Sequence, residues 1–290
     1  MDGGLTWTVG WCGRWAGVDG ELGGGRRGTA PAPAVAPVPV RRGARPLPQA
    51  LALAPLLRRV TGLVLALETE QPPVAALLRQ LTEAEAALRE LVPADLAPRL
   101  AAGGGDRVYL DHSHDIGAFN PCFPEYEISV AGEVALGSVE FPLAFEGPPG
   151  SVHGGALSLF FDTVIQQHNC ELGIAGKTVS LQVDYHRPVP LLRPLAFEIR
   201  RTQAGDRSTS HARLHGPSRD VSASRDVSTF GSGNTSGSDG TPGSSSTPGS
   251  DGTSVSNSVD RVYCTATVTA VAGDVSRLPK LSPRRTEPCS

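Results

Sequence analysis

The sequence lacks the marks of several large functional classes. In 290 residues no apolar run approaches the ~18 needed to span a bilayer. The longest candidate, Val60–Leu67, is interrupted by Thr61 and Gly62. Residues 1–30 hold no apolar h-region, so no secretory leader is expected and a cytoplasmic location is. Arg58-Arg59 before VTGLVLAL lies too deep in the chain for a twin-arginine signal. Charge of one sign is also missing: 26 Lys and Arg face 29 Asp and Glu, a net −3 at pH 7. A nucleic-acid binder carries a basic excess, and so does a protein drawn to anionic membranes, so neither partner is expected. The five cysteines are odd in number and form no C-x-x-C pair, which indicates neither a disulfide framework nor a zinc site.

Aromatic residues are scarce at 5%, whereas 34 Gly and 25 Pro make up about 20% of the chain, against roughly 12% in average usage. That balance predicts an ordinary domain diluted by disordered segments. Residues 1–46 are Gly-rich and then Pro/Ala-rich and read as a disordered tail. Residues 217–259 contain 14 Ser, 7 Gly and 5 Thr, with GSDGT and TPGS each occurring twice, and read as a disordered insertion. Residues 274–290 read as a second tail. Closing a loop costs only about 0.6 kcal/mol per doubling of its length, so a sheet tolerates such an insertion between two paired strands.

Between these segments the patterning is regular. Residues 47–102 predict a helical hairpin lying on the main domain. Val74, Leu77, Leu78, Leu81, Ala84, Leu88 and Leu91 form a stripe, Pro72-Pro73 suits a helix start, and Thr82-x-x-Glu85 suggests that a further helix starts there. Residues 103–273 carry short strands at RVYL, YEISVAGEVAL and SVEFPLAF, then one helix in HGGALSLFFDTVIQQHNCELG. Further strands follow in TVSLQVDY, LAFEIRRT, STSHARLHG and RVYCTATVTAVA. In TVSLQVDY the period of two places Val179, Leu181, Val183 and Tyr185 on one face. Connections between strands are too short for helical crossovers, so the class is α+β: an antiparallel sheet wrapped around one long helix, with helices ahead of it.

One stretch, 146–190, concentrates chemistry. His153-Gly154-Gly155 opens the long helix, where free N–H groups and the positive dipole end meet and glycines let a ligand approach the backbone. An oxyanion or a thioester carbonyl could be held there. Asp162 sits mid-helix among Leu, Phe and Val, a costly place for an acid unless a site solvates or pairs it. Thr178 opens the polar face of the next strand, and Tyr185-His186-Arg187-Pro188 adds positive charge near its end.

This stretch resembles the hotdog-fold thioesterases, in particular the PaaI-like acyl-CoA thioesterases. The matching residues are Gly150-x-x-His153-Gly154-Gly155, six residues, Asp162, and then Thr178-x-x-Leu181-x-Val183-x-Tyr185-x-Arg187-Pro188. The resemblance is close over about 45 residues and implies a hotdog fold, an acyl-CoA substrate and no cofactor or metal. It implies that Asp162 activates water or acts as nucleophile, that the Gly155 N–H holds the thioester carbonyl, and that His153 positions it. Thr178 would orient the water or the carboxylate, and Gly154, Lys177 and Arg187 would contact substrate. A homodimer, or a dimer of dimers, is implied as well. Many relatives carry Asn six residues before the His, where this chain has Gly147.

Two rival functions come from other classes. A hotdog hydratase or dehydratase is suggested by Phe119-Asn120-Pro121, although Phe123 occupies the place of the expected His. A non-catalytic acyl-CoA-binding protein is the other, for which Asp162 has no use. The bland readings are that His153 only caps the helix, that Thr178 is an ordinary strand residue, and that Lys177 and Arg187 are solvated charges. Asp111-His112-Ser113-His114-Asp115 alternates metal-ligand types, but the spacing offers no further ligand. His168-Asn169-Cys170 suggests a thiol–base pair, yet neighbours on a helix do not face each other.

Overall fold

The computed structural model describes residues 6–10, 37–97, 107–174, 176–216 and 261–273. The insertion expected at 217–259, the tail at 274–290, residues 98–106 and most of the 1–46 tail lie outside the described residues.

Seven strands form one antiparallel sheet: β1 (Thr6–Gly10), β2 (Tyr126–Ala131), β3 (Val134–Glu140), β4 (Gly176–Tyr185), β5 (Pro194–Ala204), β6 (Arg207–His215) and β7 (Val262–Ala272). Their spatial order is β1-β4-β7-β6-β5-β3-β2. The central helix α4 (Gly154–Glu171) connects β3 to β4 and packs against the sheet. Its apolar positions recur with the helical period, so Leu157, Phe160, Phe161, Val164 and Ile165 are all buried. Helices α1 (Pro48–Leu65), α2 (Pro72–Leu91) and the short α3 (Ile116–Phe119) complete the architecture. This is the expected α+β arrangement.

The few aromatic side chains are concentrated in the core. Phe160 of α4 lies 5.3 Å from Phe197 of β5 and 5.4 Å from Phe141, centroid to centroid, in edge-to-face contact. Phe123, Tyr126 and Phe161 close the cluster around it. Gly137 of β3 stands opposite Phe197 in the sheet register, and a Cβ there would lie 2.2 Å from the Phe197 ring. The glycine leaves room for that ring.

Polar groups anchor the C-terminal half of α4. Asn169 Oδ1 accepts from Arg201 Nε at 2.8 Å, and the same guanidinium forms a two-point pair with Glu133. Gln167 bonds Tyr126 Oη and the Asp115 carboxylate, and His168 Nε2 meets the Gly132 carbonyl at 2.8 Å. These bonds tie the helix to β2, the β2–β3 turn, β5 and the start of α3, and none is visible in the hydrophobic periodicity.

Several expectations need correction. Within the expected 1–46 tail, residues 6–10 form β1 on the outer edge of β4. Residues 37–46 dock too: Val40 N–H bonds Cys170 O at 2.8 Å, and Ala44 bridges Leu110. Composition predicts poor burial, but a sheet edge and a helix terminus both offer unpaired backbone groups to any chain. RVYL forms isolated bridges, and SVEFPLAF leaves the sheet at Glu140 and turns as a 3-10 helix at Leu143–Phe145. No helix starts at Thr82; α2 runs through it, and the Thr82 hydroxyl bonds Leu78 O. The two N-terminal helices also differ from a hairpin lying on the domain. Helix α1 docks on α3 through Arg58, which is 5% exposed and donates to the carbonyls of Gly117, Asn120 and Phe123. Helix α2 buries no residue.

Candidate active site

The N-terminus of α4 and the start of β4 bring four of the expected residues close to the helix. His153 is the N-cap of α4, with extended backbone, and its Nδ1 accepts the Gly155 N–H at 3.0 Å. Gly154 faces the Tyr185 ring: an added Cβ would meet Tyr185 Oη at 3.1 Å and its ring carbon at 3.2 Å. Tyr185 Oη donates to Gly154 O at 2.9 Å and lies 3.2 Å from Ser158 Oγ. So the far end of β4 braces the first turn of α4. Tyr185 was legible as part of the strand motif, but Ser158 carried no sequence signal, being one serine among many.

Eight residues along the helix from Gly154, the half-buried Asp162 carboxylate accepts a hydrogen bond from Thr178 Oγ1 at 2.7 Å. This pairing is a tertiary contact between α4 and β4 that spans 16 residues of sequence. A β-bulge lies at Thr178/Ser180 in the pairing with β7. The extra residue is Val179, which is 40% exposed instead of sharing the buried face expected from strict alternation. The bulge turns Thr178 toward the helix while the rest of the strand keeps its register.

Lys177 and Arg187 are not brought together. Lys177 lies at the start of β4 and Arg187 two residues beyond its end, with eight strand positions, on the order of 26 Å, between Lys177 and Tyr185. Arg187 lies beside the Gly154–Tyr185 end and Lys177 beside the Asp162–Thr178 end. Gly147 packs against His153: a Cβ there would lie 2.7 Å from His153 Cα. This backbone leaves no space for the Asn that many relatives carry.

The weaker clusters separate. His112 Nδ1 meets Leu110 O and stacks near Tyr109 and Phe119, while His114 is buried between Asp111 Oδ2 at 3.3 Å and Glu171 Oε1 at 3.6 Å. Among the described residues no group of three His, Cys, Asp or Glu could hold a metal ion. Cys170 is buried, which pushes its thiol pKa up, and His168 points at Gly132, so the two form no thiol–base pair. Burial alone pushes the Cys264 thiol up to about 12. Asn120 Oδ1 accepts the Cys122 N–H in a turn, and Phe123 is a core residue. No helix of the described residues is long and apolar enough to cross a membrane.

No protein-family model and no curated protein matches the chain. Solved structures do. A crystal structure of a thioesterase superfamily protein is 21% identical over 79% of this chain and 97% of its own, with a TM-score of 0.51. A hypothetical thioesterase protein with coenzyme A from Streptococcus pneumoniae is 14% identical over 55% and 92%, with a TM-score of 0.35. The E. coli PaaI protein from the phenylacetic acid degradation operon is 11% identical over 50% and 82%, with a TM-score of 0.34. The chain has the hotdog fold, as the sequence motif implied.

Proposed function

We propose that this chain hydrolyses acyl-CoA thioesters to a free acid and coenzyme A. The observation that carries the reading is the Asp162 carboxylate held by Thr178 Oγ1 at 2.7 Å on a helix whose first turn is His153-Gly154-Gly155. The hydroxyl takes one carboxylate oxygen and fixes its orientation, leaving the other to accept a proton from water. That water attacks the thioester carbonyl carbon. Negative charge then develops on the carbonyl oxygen, where the Gly155 N–H at the positive end of α4 would stabilise it. When the C–S bond breaks, the Asp162 carboxyl gives up the proton it took from water, the departing thiolate receives it, and coenzyme A leaves as the thiol. His153 Nδ1 accepts the Gly155 N–H at 3.0 Å, and the carbonyl oxygen would replace Nδ1 as its acceptor. His153 is thus a helix cap that hands its donor to the substrate.

The reacting groups come from two chains. Gly155 and Asp162 are seven residues apart on one helix, about 10.5 Å at 1.5 Å per residue, whereas reacting atoms must be roughly 3 to 3.5 Å apart. A second α4 running antiparallel puts its Asp162 beside the first Gly155, and two-fold symmetry makes two equal sites. A non-catalytic acyl-CoA binder needs neither the carboxylate nor its hydroxyl partner. The test is release of free thiol from a panel of acyl-CoAs, read with a thiol dye. Wild-type chain should turn over at least one class of acyl chain, and Asp162→Asn should lower turnover by a factor on the order of 10² or more. A variant with near wild-type turnover removes Asp162 from the mechanism. No turnover by the wild-type chain on any member of the panel removes the function.

A further inference from the structure

Helix α4 is bonded to β4 along its length. Tyr185 Oη bonds Gly154 O at 2.9 Å and lies 3.2 Å from Ser158 Oγ. Thr178 Oγ1 bonds Asp162 at 2.7 Å, and Gln166 Nε2 bonds Gly176 O at 3.3 Å. Residues 154, 158, 162 and 166 are four apart and form one stripe of the helix, so Asp162 and the Gly154-Gly155 turn both lie on the β4 side. Next to that stripe Gly155 and Leu159 are open, Leu159 at 53% exposure, and Val179 at the bulge is 40% exposed. A second α4 that brings its Asp162 to this Gly155 therefore comes in across the outer edge of β4. In the single chain that edge is taken: β1 pairs with residues 180–184 of β4 from Thr6↔Asp184 to Gly10↔Ser180.

We propose that β1 is an autoinhibitory strand, which holds the β4 edge in the single chain and leaves it when two chains come together to share a site. The inference rests on the two-chain chemistry proposed above. Distances make the two states exclusive. Neighbouring strands lie about 4.8 Å apart, so two β4 strands with both copies of β1 between them stand about 14 Å apart instead. Each α4 moves with its β4, so the two intervening strands push the helices apart by roughly 10 Å. That shift is as large as the whole separation of about 8–10 Å between packed helix axes. Gly155 then lies out of reach of the partner's Asp162. Strand β1 is also the weaker occupant, because it covers five of the ten residues of β4, whereas a second β4 offers all ten to the same edge. Its advantage is the tether: β1 competes from within one chain and does not weaken on dilution, whereas a second β4 does. Low chain concentration therefore favours the closed single chain, and high concentration the open pair.

The test compares the full chain with its Trp7→Pro, Thr8→Pro double variant in a sedimentation-velocity dilution series. Adjacent residues of a strand turn their N–H groups to opposite sides, so one of the two prolines removes a bond to β4 whichever residue makes it. The variant should dimerise with a dissociation constant lower by about tenfold or more, because every dimer displaces two copies of β1. Thiol release from acyl-CoA per chain, at one low chain concentration, should rise with it. In the unaltered chain, hydrogen exchange should show amides 6–10 losing protection as the dimer forms, while amides 180–184 keep theirs. Equal or weaker dimerisation of the proline variant overturns the inference. So do amides 6–10 that stay protected in the dimer of the unaltered chain, a result that depends on no variant folding. If dimerisation and exchange behave as expected but neither chain releases thiol, hydrolysis is wrong and the competition for the β4 edge stands.

Discussion

At the scale of single residues, His168 shows how the interior of this chain limits charge. Its ring is fully buried at the end of α4, with Nε2 on the Gly132 carbonyl. Burial lowers its pKa from 6.5, with a smaller contribution in the same direction from Arg201. The folded state therefore binds the proton less readily than the unfolded chain, for which 6.5 is the reference. The unfolded chain gains protons below that value and the folded one does not, so stability is full above about pH 6.5 and falls as the pH drops through it. Melting temperatures measured at pH 7.5 and 5.5 should show a loss on acidification in the wild type and a smaller loss in His168→Gln. Equal losses in both would assign the acid sensitivity to other groups. His168 was legible in the sequence only as a neighbour of Cys170. That it is buried and points away from the thiol follows from packing against the β2–β3 turn.

At the scale of elements, α4 and the strands β4 to β7 were readable from periodicity, whereas YEISVAGEVAL, expected as one strand, turns at Gly132 and divides into β2 and β3. The departures sit where an element meets another. The Val179 bulge interrupts a strand whose alternation is otherwise regular, and it does so beside the Asp162–Thr178 bond. The Phe160 cluster binds α4 to β5 and to the turn after β3 through five aromatic neighbours. Removing that ring leaves a cavity walled by other rings that cannot all collapse into it. Phe160→Ala should destabilise the fold by about 3–5 kcal/mol, measured by urea unfolding. A loss below about 1 kcal/mol would mean that the aromatic cluster repacks freely, contrary to the density of protein interiors. The connection between β6 and β7 shows the converse. His215 pairs with Val262, and the Gly216 N–H bonds Arg261 O, so the two strands close like a hairpin across a long intervening segment. Closure entropy rises only with the logarithm of that length.

At the scale of the whole molecule, the proposal that the site is shared between two chains is tested by complementation. Asp162→Asn chains and Gly155→Val chains should each be inactive alone. A Cβ at Gly155 would meet the His153 ring at 3.2 Å, so the larger side chain obstructs the oxyanion position as well as the cap. After random reassociation half of the dimers are mixed, and each mixed dimer contains one intact site of two, so about a quarter of wild-type activity should return. Mixed dimers confirmed by mass but without activity would place the whole site within one chain.

The sequence by itself determined the α+β class, the long helix that opens at His153-Gly154-Gly155, the succession of β4 to β7 along the chain and the grouping of His153, Gly155, Asp162 and Thr178 in one stretch. These are local matters: a residue's neighbours three, four or two positions away decide which face it presents, and glycine or proline decides where an element stops. The tertiary structure alone decided that Thr178 bonds Asp162 and that the His153 ring caps the Gly155 N–H. It also decided that residues 6–10 pair with β4 and that α2 leaves the domain. The reason is physical. Periodicity states how much apolar surface an element must bury, but not against what, and hydrogen bonds between distant segments depend on where the packed elements bring the backbone and side chains together.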